Sequence, residues 1–71
     1  MTVSLEWDPN IESVGGYKMY WGSTTKNYQN SKDVGNVTTT DILVGPGIWY
    51  FAVTAYNDSA ESDFSNEVHF P

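Results

Sequence analysis

The chain has 71 residues, no cysteine, and a formal net charge of −6 from three lysines and nine acidic residues. This composition excludes a disulfide framework and a cysteine-based zinc site, and it argues against nucleic acid or an anionic membrane as partner, since both need a basic face. The longest apolar run, residues 48–53, is far shorter than the ~20 residues of a membrane span. We expect no signal peptide either, because alternating residues begin at Thr2.

The first predicted strand covers residues 3–7. Val3, Leu5 and Trp7 alternate with polar residues there, which is the period of a strand with one buried face. Pro9 and Asn10 end this strand, because proline fixes φ and lacks an amide donor.

A second strand is predicted over residues 17–21, where Tyr17, Met19 and Trp21 alternate, and a turn follows it. A short edge strand is predicted around residues 30–34. Its Lys32 and Asp33 would discourage pairing with another chain.

The second half of the chain continues the pattern. Residues 37–44 form a β-branched run, and residues 48–57 form the clearest strand, with bulky side chains on both faces, which predicts a central position. Residues 57–62 read as a polar loop and residues 64–70 as the last strand. The sequence thus predicts one all-β domain over residues 1–71, an antiparallel sandwich of six to seven strands.

Four motifs give the chain a resemblance to fibronectin type III domains, and most closely to their bacterial and phage members. These are VSLEW with Trp7, GYKMYWG over residues 16–22, YFAVTAYN over residues 50–57 and ESDFSNEV over residues 61–68. The resemblance implies an immunoglobulin-like sandwich in which Trp7 lies in the core and the strands at 17–21 and 48–57 are neighbours. It implies no catalysis and no cofactor.

The sequence departs from the family in two places. The family's first strand has no counterpart ahead of VSLEW, and Trp49 stands where the family has a tyrosine whose hydroxyl bonds to upstream backbone. The indole N–H of Trp49 is one substitute for that hydroxyl, and Tyr50 is the other.

Without its first strand, the family's smaller sheet would leave one strand at an edge. The shortening is either harmless or creates a socket for a strand of another chain, since strand addition supplies hydrogen bonds and side-chain pockets. The candidate docking residues are Thr2, Val3, Ser4, Leu5, Glu6 and Trp7.

Outward tyrosines form a second candidate surface. Tyr20, Tyr50 and Tyr56 alternate away from the core positions, and Tyr28 overhangs them. Tyrosine is a frequent anchor at protein interfaces and stacks on sugar rings, but outward tyrosines are also ordinary strand residues.

Residues suited to catalysis or metal binding are scarce. The single histidine, His69, alternates outward on the last strand, and no glycine-rich phosphate loop opens a helix. The acidic loop at residues 57–63 lacks the spacing of a calcium loop, so we predict no metal and no enzymatic activity.

The predicted function is therefore that of a structural and interaction module. Its most concrete form is an accessory or decoration protein of a phage virion, with self or virion proteins as partners and a virion or extracellular location. The alternatives are a carbohydrate-binding module and a spacer of an extracellular bacterial protein.

Overall fold

The computed structural model describes residues 1–8, 14–65 and 67–70, which form six strands and no helix. The strands are β1 (Thr2–Glu6), β2 (Gly16–Gly22), β3 (Asn30–Gly35), β4 (Thr39–Leu43), β5 (Trp49–Tyr56) and β6 (Val68–Phe70). β1 and β4 form one antiparallel sheet, and the other has the antiparallel order β3-β2-β5-β6. The all-β prediction is confirmed. The predicted turn at Pro9 and Asn10 lies outside the described residues.

The two sheets enclose one hydrophobic core. The β1–β4 sheet contributes Val3, Leu5 and Ile42, and the larger sheet contributes Met19 and the fully buried Phe51. All of these sit at alternate positions of their strands, so the period-2 pattern in the sequence marks the faces that meet. Partly buried side chains close the core at its margins: Trp7, Trp21, Val34, Trp49, Val53 and Phe70.

β5 occupies the middle of the larger sheet, between β2 and β6, as predicted. Phe51 and Ala55 are buried on its core face, and Ala52 and Thr54 are buried on the opposite face. The outer face of this sheet is therefore also covered, by side chains described below.

β6 is shorter than the predicted strand over residues 64–70. Ser62 and Ser65 each form two hydrogen bonds with one residue of β5. Their backbone N–H groups donate to the carbonyls of Ala55 and Val53, respectively. Their hydroxyls accept hydrogen bonds from the N–H groups of the same two β5 residues. Because hydroxyls replace carbonyls in this pairing, residues 62–65 follow β5 without forming a regular strand.

Two local features shape the ends of the larger sheet. The indole N–H of Trp49 donates to the backbone carbonyl of Gly45, four residues upstream, at 2.9 Å. At Gly22, a Cβ atom would collide with the backbone carbonyl oxygen of Asn27 and lie 3.1 Å from Cα of Tyr28, so the chain can fold back here only without a side chain.

Candidate functional site

β1 pairs with β4 along one edge, and no described strand pairs with its other edge, hereafter called the open edge. Met1 and Val44 exchange backbone hydrogen bonds of 2.6 and 2.8 Å, and the N–H of Trp7 donates to Thr38 at 3.0 Å. Hydrogen-bonded pairs alternate along an antiparallel ladder, so Val3 and Leu5 also face β4. The backbone N–H and C=O groups of the intervening residues consequently point to the open edge: Thr2, Ser4 and Glu6.

A cleft of 280 Å³ lies beside this edge, between β1 and the β5–β6 side of the larger sheet. Its walls include core residues as well as edge residues. Among them are Leu5, Trp7, Met19, Phe51, Val53 and Val68. The cleft therefore leads from the open backbone of β1 to the hydrophobic core.

Trp7 lies at the end of this cleft. Its ring packs edge-on against Tyr17, with centroids 5.6 Å apart and an interplanar angle of 62°. Its indole N–H is buried and has no hydrogen-bond acceptor among the described residues. A buried donor without a partner typically costs about 1–3 kcal/mol.

The surroundings of Trp7 are acidic. A second hollow of 270 Å³ shares Trp7, Asp8, Val53 and Ser65 with the first and extends it towards Asp63. The described lining of the two hollows contains the carboxylates of Glu6, Asp8 and Asp63 and no lysine.

The outer face of the larger sheet carries an aromatic cluster of Tyr20, Tyr28 and Phe64. The Phe64 ring lies edge-on to both tyrosines, with centroid distances of 5.0 Å to Tyr20 and 5.1 Å to Tyr28. The two tyrosine rings are 6.5 Å apart. The aromatic cluster lies on the face of the sheet on which the small side chains of Ala52 and Thr54 are buried.

Glu61 ties the aromatic cluster to the sheet. One of its carboxylate oxygens accepts hydrogen bonds from the hydroxyls of Tyr20 at 2.6 Å and Thr54 at 2.7 Å, and the other lies 3.7 Å from Nζ of Lys18. The Tyr20 hydrogen bond is the main cause that lowers the pKa of Glu61, and it raises the pKa of Tyr20 in return.

Glu67 binds the turn at residues 24–27. Its carboxylate accepts from the hydroxyl of Thr25, the backbone N–H of Lys26 at 2.7 Å and the hydroxyl of Tyr28 at 2.6 Å. These hydrogen bonds, led by that from Thr25, lower the pKa of Glu67. Burial, followed by the Glu67 hydrogen bond, raises the pKa of Tyr28 to about 12.

The other two tyrosines lie apart from the aromatic cluster. Tyr50 contacts the ring of His69, with centroids 5.9 Å apart. The hydroxyl of Tyr56 donates to the carboxylate of Asp33 at 2.7 and 2.8 Å, which lowers the pKa of Asp33, and Nζ of Lys18 lies 5.5 Å from the Tyr56 ring.

The sequence reasoning thus missed three residues of the outer face. Strand register places Tyr20, Tyr50 and Tyr56 on one face. Of the four predicted tyrosines, Tyr20 and Tyr28 are the two whose rings meet within the part of the chain that the structure describes. Phe64, Glu61 and Glu67 were not predicted to take part. A phenylalanine between Asp63 and Ser65 in an acidic segment was the one available signal, because a large apolar residue among polar ones needs a surface to cover it.

No family model matches the chain, and neither a characterised protein nor a solved structure matches it significantly. Within residues 1–8, 14–65 and 67–70, no group of three or more His, Cys, Asp or Glu side chains converges as metal ligands would. No helix long and apolar enough to cross a membrane occurs in the same residues.

Proposed function

We propose that the chain is a non-catalytic structural and interaction module that docks onto a larger protein assembly through the open edge of β1. The observation that carries the proposal is the unpaired edge of β1 beside a cleft that reaches the core. An edge strand of this kind is a template for pairing with another chain.

The residues of β1 fit this role better than those of β3, another edge strand. Lys32 and Asp33 place charges in the middle of β3, and such charges discourage strand pairing. The middle of β1 consists of Val3, Ser4 and Leu5 and carries no charge. An incoming strand would therefore meet no ionic obstacle at the centre of β1.

The proposal takes its concrete form from the fibronectin type III resemblance. The neighbouring positions of β2 and β5 and the two-stranded β1–β4 sheet agree with what that resemblance implies. We propose on this basis an immunoglobulin-like sandwich serving as an accessory or decoration protein, most concretely of a phage virion, located on the virion or outside the cell.

Site-specific photocrosslinking tests the docking proposal. A photoreactive phenylalanine derivative replaces Ser4 in cells that assemble the native complex, and a control protein carries it in place of Ser31. Ser31 is exposed on β3, an edge strand of the other sheet. We expect a discrete crosslinked partner from position 4 and none from position 31. Absence of crosslinks at position 4, or equal crosslinking at both positions, contradicts docking through β1.

Carbohydrate binding is the second candidate function, and one observation favours it. A hollow of 410 Å³ lies beside the aromatic cluster, lined by Lys26, Tyr28, Phe64, Ser65 and Glu67. Aromatic rings next to hydrogen-bonding groups suit a sugar ring. Glycan-array binding that is lost in Tyr28→Ala but kept in Tyr50→Ala would support this function, and no binding to any glycan would contradict it.

A further inference from the structure

We infer that the partner segment at β1 is an extended, basic peptide strand of another protein, with apolar residues at alternate positions. The inference rests on the proposed docking function and names the chemistry of the partner. Three properties of the cleft carry it: the open backbone groups, the apolar floor and the acidic rim.

The backbone of β1 requires an extended segment. The N–H and C=O groups of Thr2, Ser4 and Glu6 repeat every second residue along the open edge, which matches the hydrogen-bonding period of a strand. A helix satisfies its own backbone groups and would leave these unpaired.

The floor of the cleft requires apolar side chains on one face of that segment. Leu5, Met19, Phe51 and Val53 line it, and a strand lying beside β1 directs every second side chain towards them. A carbonyl at the Trp7 end of the cleft would also give the unpartnered indole N–H an acceptor.

A second copy of this chain does not meet these requirements. Its own β1 already directs Val3 and Leu5 into its own core, so pairing two β1 edges would leave both clefts empty. Each copy also carries a net charge of −6, which opposes association. The occupant is therefore a segment whose side chains are free.

The rim of the cleft determines the charge of that segment. Glu6, Asp8 and Asp63 are exposed carboxylates along the two hollows, and no described lining residue is a lysine. Lysine or arginine on the solvent side of the incoming strand would face these carboxylates, and acidic residues would be repelled.

Titration with designed peptides tests the inference. The probe is an eight-residue peptide with blocked ends in which lysine and valine alternate. One control replaces lysine by glutamate, and another replaces the two central valines by proline. Binding is followed by the indole N–H resonances of the full chain, assigned with Trp7→Phe. We expect the lysine–valine peptide to bind at least about tenfold more tightly than either control and to shift the Trp7 resonance downfield.

Two variants place the binding on β1 and in the cleft. Ser4→Pro removes an outward N–H and should weaken binding about tenfold or more, whereas Asp41→Pro makes the same change at the opposite edge and should not. Val68→Lys alters a cleft residue that is 46% exposed, and Leu43→Lys alters one on β4 that is 79% exposed and lies outside the cleft lining. We expect Val68→Lys to weaken binding and Leu43→Lys to leave it unchanged. If Ser4→Pro fails to fold, this second pair decides.

Three results would overturn the inference: no binding of the lysine–valine peptide, equal binding of the glutamate peptide, or an affinity that neither Ser4→Pro nor Val68→Lys lowers. If position 4 crosslinks to a native partner while the lysine–valine peptide fails to bind, the partner chemistry is wrong and docking through β1 stands. If position 4 also gives no crosslink, the docking function itself fails.

Discussion

Removal of the Phe64 side chain should destabilise the fold although Phe64 is 53% exposed. A buried aromatic side chain contributes roughly 150–250 Å², so the covered half of Phe64 accounts for about 2–3 kcal/mol at roughly 25 cal/mol per Å². Its edge-on contacts with Tyr20 and Tyr28 add to this, while residual burial in the unfolded chain subtracts from it. We expect Phe64→Ala to lower the free energy of unfolding by about 2–4 kcal/mol.

Urea denaturation followed by circular dichroism measures this loss, and Leu43→Ala is the matched control. Leu43 is an apolar residue that is 79% exposed, so its truncation should cost less than about 0.5 kcal/mol. A Phe64→Ala protein as stable as Leu43→Ala would refute the reasoning. The aromatic cluster would then contribute nothing measurable to the stability of the fold.

Three further changes test the local structure. Gly22→Ala should destabilise the fold by at least about 2 kcal/mol in thermal melts, because the new Cβ meets the backbone of Asn27, and an unchanged melting temperature would contradict that close approach. Ser65→Ala should lower the free energy of unfolding by about 0.5–1.5 kcal/mol and speed hydrogen exchange at the Val53 amide, because that amide loses its acceptor at 2.9 Å. Unaltered exchange at Val53 would contradict the hydrogen bond to the Ser65 hydroxyl. The lowered pKa of Glu61 contributes stability that is present above the ordinary carboxyl pKa of 4.5 and is lost as the pH falls through the pKa of the folded protein. The melting temperature should therefore fall more steeply on acidification in the parent than in Glu61→Gln. Parallel curves of melting temperature against pH would contradict the role of Glu61.

The elements that the sequence predicts well are those in which local alternation and burial agree. Val3 and Leu5 on β1, and the two buried faces of β5, follow from the period of the side chains alone. The start of the last strand was placed too early, because the hydroxyls of Ser62 and Ser65 replace backbone acceptors, and no hydropathy pattern records that substitution.

The outer face was harder to predict than the core. Glu61 meets Tyr20 across 41 residues of chain, and Glu67 meets Tyr28 across 39. Such pairs depend on how residues 57–65 and Glu67 lie over the sheet, which is set by the fold as a whole. The open edge of β1 was predicted from the fibronectin type III resemblance, but the acidic rim and the cleft emerge only from the packed structure.

Amide hydrogen exchange of the isolated chain, measured by NMR, tests the openness of the β1 edge most directly. We expect an alternating pattern, in which the amides of Thr2, Ser4 and Glu6 exchange orders of magnitude faster than those of Val3 and Leu5, which face β4. Uniformly slow exchange along β1 would show that this edge is already covered. That result would contradict docking through β1.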